Sequence, residues 1–124
     1  MAVTYTTAVK NARLDAVVTA IGATGVLEIG TTSMGTVLAT INLGNPAGTT
    51  SGGVLTFSGF PRSDSAADAT GTAAAARIRT ATGGTDIVTG LTVGTSGSDI
   101  NLDSTSITLG QLVTINSATI THAA

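Results

Sequence analysis

The chain of 124 residues contains no cysteine, so no disulfide can brace it and no thiolate can act as nucleophile or metal ligand. Stability has to come from packing and from contacts with other chains. Tryptophan is absent and aromatic residues make up 2% of the chain, which removes the platforms on which sugar-binding modules stack their ligands. Charged residues reach only 10%, against roughly 25% in an ordinary soluble domain. The five cations, Lys10, Arg13, Arg62, Arg77 and Arg79, form no basic stripe at a net charge of −2, so nucleic acid is not an expected partner. No apolar run approaches the roughly 18 residues of a membrane span, and the opening MAVTYTTAVK lacks the apolar centre of a secretory signal. The expectation is a soluble product made and kept in the cytoplasm with no membrane contact. At this length residues 1–124 are expected to form one domain around one core.

Hydrophobic residues are plentiful at 42%. With so little charge, the surface must be built from Thr, Ser, Gly and Ala. Such a surface opposes association weakly, and part of it is expected to be covered by partner chains.

Residues 8–21, AVKNARLDAVVTAI, carry the one helical pattern, with Thr6 or Thr7 as N-cap and Gly22 as terminator. Leu14, Val17, Val18 and Ile21 make an apolar stripe that should lie on the sheet. Val9, Ala12, Ala16 and Ala20 make a second stripe of small apolar residues on the opposite side, bordered by Arg13. Alanine on an exposed face is explained by helix propensity alone; the sharper alternative is that this face meets another subunit.

After Gly22 the chain turns to short β-branched runs separated by Gly, Asn, Asp and Ser. The runs at 26–30, 36–43, 53–58, 74–81, 86–93, 98–102 and 111–122 predict a mainly β protein. Its expected form is an antiparallel, jelly-roll-like β-sandwich of about seven strands over residues 25–122, preceded by the N-terminal α-helix. Alternation assigns Leu27, Ile29, Val37, Ala39, Ile41, Leu43, Leu55, Phe57, Ala76, Ile78, Ile87, Leu91, Val93, Ile100 and Leu102 to the core. In the last run both Leu112 with Ile120 and Val113 with Ile115 are apolar, which suggests cover on both faces. Segments 44–53 and 60–71 read as loops, and TGGTD at 82–86 as a tight hairpin connection.

Little in the sequence promises chemistry. His122, the only histidine, sits two residues from the end of the sequence, and a general base needs a positioned partner. Asp99 with Asp103, and Asp64 with Asp68, are spaced four apart but lack the ligand density of a calcium loop. They read as turn formers, with calcium as the alternative. VGTSGS at 93–98 has neither the lysine nor the following helix of a phosphate loop. Arg77 and Arg79 flank Ile78 and should project from the outer face of one strand, either solvated or bridging to a neighbour. No catalytic residue, metal or cofactor is expected. The candidate interface residues are Val9, Ala12, Arg13, Ala16, Ala20, Arg77 and Arg79.

The opening YTTAVKNARLDAVVTAIG, the runs GVLEIGT and VLATINL, the Gly-rich SGGVLTFS, the DATGTA turn and the ending VGTSGSDINLDSTSITLGQLVTINSATITH resemble, in order and over nearly the whole chain, a family of small structural proteins of tailed double-stranded DNA bacteriophages. The resemblance implies a capsid decoration, cement or minor capsid protein on the outer capsid surface of the virion. The implied partners are the major capsid protein and further copies of the chain, as a homotrimer. No catalytic residues carry over. The chain departs from the family pattern at Ala73–Ala76, after the GTA turn, where members often carry a bulky aromatic. A tail- or fibre-associated protein that binds the host surface remains the alternative, with 44–53 and 60–71 as its recognition loops.

Overall fold

The computed structural model describes residues 4–122; residues 1–3 and 123–124 of the expected domain lie outside the described residues. Helix α1 spans Thr7–Ile21, one residue earlier than its predicted start. Thr6 supplies the cap, its Oγ1 accepting the Val9 N–H at 3.4 Å. Gly22, at φ 71°, ends the helix in a conformation that suits a residue without Cβ. Leu14 and Ile21 are buried and Val17 and Val18 pack half-buried against the core. Val9, Ala12, Arg13, Ala16 and Ala20 are all exposed.

The protein is mainly β. All seven predicted strands are present: β1 (Val26–Gly30), β2 (Val37–Asn42), β4 (Val54–Phe57), β7 (Ala75–Arg79), β8 (Asp86–Leu91), β10 (Ile100–Leu102) and β12 (Val113–Thr121). Five short strands join them: β3 (Gly48–Ser51), β5 (Arg62–Asp64), β6 (Gly71–Thr72), β9 (Val93–Gly94) and β11 (Ser106–Ile107). One sheet runs β2-β1-β7-β8; the other runs β3-β4-β12-β10-β9, with β5 also on β12; β6 and β11 form a separate pair. Every pairing is antiparallel except β9 with β10. Leu27, Ile29, Ile41 and Ile78 of the first sheet and Leu55, Phe57, Ile100, Leu102 and Ile115 of the second fill one continuous core. The turn at 82–86 is present, closed by Thr80 N–H to the Thr85 carbonyl and Gly84 N–H to the Ala81 carbonyl.

Three departures from simple alternation have one physical cause, the β-bulge, which inserts an unpaired residue and changes which side chains face inward. In β2, Ile29 stands opposite Ala39 and Gly30 opposite Val37, so Leu38 is the extra residue. Leu38 is buried and Val37 only half-buried, the reverse of the expected pair. In β8, Ile78 pairs with Val88 and Arg79 with Asp86, leaving Ile87 in the bulge and half-buried. In β12, Asn101 faces Ser117 and Leu102 faces Ile115, so Asn116 is skipped. The parity switch turns Val113 and Ile115 and then Ala118 toward the same core, with Ile120 packed against it. The apolar residues of both parities thus do not mark a strand covered on both faces, and Leu112 lies before the strand and is exposed. Val93, in the edge strand β9, is likewise only half-buried.

Segments 44–53 and 60–71 are not wholly loops, because β3 and β5 lie inside them. Neither strand carries apolar alternation; backbone pairing to β4 and β12 makes them strands. At Gly48 a Cβ would run into the Thr56 carbonyl, so this pairing needs glycine. Ile78→Ala in the fully buried centre of β7 is expected to cost about 3 kcal/mol, measured as a lower midpoint of urea unfolding followed by circular dichroism.

Candidate functional site

The polar side chains of the sequence gather into strand-holding clusters. On β1, which is buried along its whole length between β2 and β7, Leu27 and Ile29 point into the core and Glu28 points the other way. Glu28 is 4% exposed. It stands directly opposite Arg77, whose Nε donates to Glu28 Oε1 at 2.6 Å. Arg79 Nη1 lies 3.8 Å from the same oxygen, and its Nη2 donates to the Gly84 carbonyl at 2.5 Å. Arg79 Nε sits 2.9 Å from Asp86 Oδ1 without the alignment of a hydrogen bond. Two arginines and two carboxylates thus form a neutral network over the outer face of the first sheet. Arg77 and Arg79 do project from the outer face of β7, but they fold onto their own chain. Glu28 is the residue that reasoning from the sequence missed. The available signal was the sole glutamate of the chain at an outward position among apolar residues, with two arginines two apart on another strand.

The aspartates act on strand edges. Asp64 Oδ2 accepts the Thr40 N–H at 3.0 Å and its Oδ1 accepts Ala66 N–H at 3.1 Å, the turn bond expected of it. Asp68 Oδ2 accepts from Thr40 Oγ1 at 3.3 Å, while Asp68 N–H donates to the Leu38 carbonyl. Residues 64–68 therefore close the free edge of β2. Asp99 and Thr92 exchange bonds, Thr92 N–H to Asp99 Oδ2 at 3.0 Å and Asp99 N–H to Thr92 Oγ1 at 2.9 Å. Asp103 Oδ1 accepts from Asn116 Nδ2 at 2.8 Å, steadying the bulge in β12. The structure brings Asp64 and Asp68 together on Thr40, but among the described residues no three of His, Asp or Glu converge as a metal site would need.

His122 donates its backbone N–H to the Gly53 carbonyl, and its ring meets Tyr5 edge-on at 5.8 Å. Arg13 joins this group, its guanidinium 4.6 Å from the Tyr5 ring centroid. An open polar cleft of about 510 Å³ lies between β2 and the 59–65 segment, lined by Thr40, Asn42, Pro61, Arg62, Asp64 and Ser65 among others. Arg62 is held there by the Ser58 and Asn42 carbonyls at 3.1 and 3.4 Å. Among the described residues the large apolar side chains left exposed are Tyr5, Val9, Leu109 at 65% and Leu112 at 59%. No helix of the described residues is long and apolar enough to cross a membrane.

Glu28→Ala is expected to destabilise the fold by roughly 3 kcal/mol, because it strands two partly covered arginines. Replacing Glu28 and Arg77 together by leucine should cost markedly less, and a double-mutant unfolding cycle measures the difference. Asp64→Ala should cost about 1–2 kcal/mol and speed hydrogen exchange at the Thr40 amide while leaving the β1 amides protected. Comparison with known proteins adds no assignment to this geometry: no family model, no curated protein and no solved structure matches the chain.

Proposed function

We propose that the chain is a non-enzymatic structural protein of a virion, which decorates the outside of a phage capsid and stabilises it by bridging major capsid protein subunits. The observation that carries this reading is the exposed side of α1, where Val9, Ala12, Ala16 and Ala20 present an apolar face bordered by the charges of Arg13 and Asp15. A helix whose outer side met only water would gain solubility from charge there. The sequence resemblance to phage structural proteins and the scarcity of surface charge point the same way. So does the use of the polar side chains, since Glu28, Asp64, Asp99 and Asp103 are spent on joining strands. Action would be mechanical: each bound copy adds contact free energy to the assembled shell that the dispersed subunits lack. Density for the chain on the outer capsid surface of an intact particle supports the proposal, and density confined to the tail overturns it.

The cleft beside β5 favours one second reading, a tail- or fibre-associated protein that binds the host surface. Its lining of hydroxyls, an amide, a guanidinium and a carboxylate offers both donors and acceptors to a polar ligand. Glycan-array or cell-binding signal that disappears in Arg62→Ala would promote this reading over the first.

Ala16→Glu tests the helix face. A partner packed closely there would meet a larger side chain and bury an unpaired charge, at a cost of several kcal/mol. Propensity alone changes by only tenths of a kcal/mol. The expected result is loss of capsid attachment, or of the trimer, in a binding and light-scattering assay, with the β circular dichroism spectrum retained.

A further inference from the structure

The exposed large apolar side chains of the described residues fall into two groups, Tyr5 with Val9 and Leu109 with Leu112. These groups lie at opposite ends of β12. At its C-terminal end Thr121 pairs with Val54, His122 bonds to Gly53, and the His122 ring meets Tyr5. The Gly53 N–H in turn donates to Asn11 of the helix at 2.9 Å. At the N-terminal end Val113 pairs with Asp64. There the 108–111 turn is docked on the 67–70 segment by bonds from Ala67 to Gln111, from Gly110 to Ala67 and from Leu109 to Thr70 Oγ1. Nine residues of β12 separate the two ends, roughly 26 Å at ~3.3 Å per residue. One copy cannot bring them together.

The ends also differ in charge. The helix end presents Arg13, exposed and lying over Tyr5, with Lys10 half-buried one turn before it; the one carboxylate of α1, Asp15, accepts a bond from Thr50 of β3. The turn end presents Asp68, exposed and adjacent to the Ala67 that anchors the turn, with Asp64 behind it. Neither Arg13 nor Asp68 belongs to an ion pair; those of the described residues all involve Glu28, Arg77, Arg79 and Asp86. Arg62, the cation nearest to Asp64 in sequence, is held by two carbonyls instead.

We propose that copies of this chain join head to tail, the leucine-bearing turn at 109–112 of one copy docking on the Tyr5, Val9 and Arg13 face of the next. Like ends are the poorer match, because two turns would bring together Asp68 and Asp64 with no cation among them but the Arg62 held by carbonyls, and two helix faces would gather both copies of Arg13 and Lys10. Unlike ends pair Arg13 with Asp68 and lay the two leucines on Val9 and the small Ala12 beside it. Such a contact is heterologous, so it closes into a ring when the rotation between copies allows and otherwise runs on as a filament. The inference rests only on the self-association part of the reading above. Failure of capsid attachment with self-association intact would sink the capsid role and leave this contact standing.

Sedimentation velocity on the full chain tests it with two surface variants, Val9→Glu and the double variant Leu109→Glu/Leu112→Glu. Both should keep the wild-type circular dichroism spectrum. The wild type is expected to sediment as an oligomer and each variant alone as a monomer. An equimolar mixture of the two variants should form a heterodimer and nothing larger, since it holds one intact pair of surfaces. Arg13→Asp or Asp68→Lys alone should weaken association, and the two together in one chain should restore it. A wild-type monomer, a variant that still forms the full oligomer alone, or a mixture that stays monomeric would overturn the proposal.

Discussion

A carboxylate nine-tenths removed from water in the middle of a sheet has to be paired, and the pairing of Glu28 with Arg77 organises much that surrounds it. Directly opposed residues fix the register of β1 on β7. A slip of one position would turn Glu28 into the core and Leu27 and Ile29 out of it. The same contact draws in Arg79 and, through it, Asp86 and the turn that leads into β8. The network also removes Arg77 and Arg79 from the five cations the surface could use. Arg62 is folded against backbone carbonyls. The outside is left largely to hydroxyls, glycine and alanine, which resist association poorly.

A sandwich with open edges would associate in the wrong way, by adding strands, and here a helix and polar side chains lie against parts of the edges. The first sheet ends in β2 and β8, the second in β3 and β9. Helix α1 packs against β3, β4 and β8 and so spans one side of the sandwich. Its Asp15 accepts a bond from Thr50 of β3 at 2.8 Å. On the other side Asp64 and Asp68 take up the free backbone groups of β2. The remaining edge, β9, is two residues long and pinned by the Thr92–Asp99 exchange. The exposed large apolar side chains of the described residues lie away from these edges, at Tyr5 and Val9 by the helix and at Leu109 and Leu112 by the 108–111 turn.

The helix, its caps and seven strands were legible because each rests on local pattern: spacing of Leu14, Val17, Val18 and Ile21, a threonine cap, alternation bounded by turn residues. Bulges were not. An extra residue at Leu38, Ile87 or Asn116 changes the parity of a strand only once a partner strand is present to define the ladder. Strands β3 and β5 were hidden for a related reason, since GTTS and RSD become strands through their neighbours' backbone and not through their own side chains. Asp64 was read correctly as a turn former from local chemistry. Its second role on Thr40 joins residues 24 apart and left no mark in the local sequence. Glu28 is not marked by alternation, which singles out the apolar inward positions of a strand, and its burial comes from Arg77 on a strand 49 residues away.

In the proposed assembly, self-association and attachment to a shell reinforce each other. A lone copy with few charges and a modest apolar face would hold a capsid weakly. Copies joined to one another present several attachment points at once, so that after the first contact forms the others bind at a high effective concentration. Avidity of this kind needs a rigid spacer between contacts, since a flexible one dilutes the effect. Here the spacer is β12, paired with β4, β5 and β10 along its length. Its Asn116 bulge is held by Asp103, and its two ends carry the two exposed apolar groups. The feature that made the last strand hard to read from sequence, its change of parity, is what lets Val113 and Ile115 and then Ala118, residues of both parities, serve the same core. The Leu109–Leu112 turn and the Tyr5 face are left outside to meet other chains.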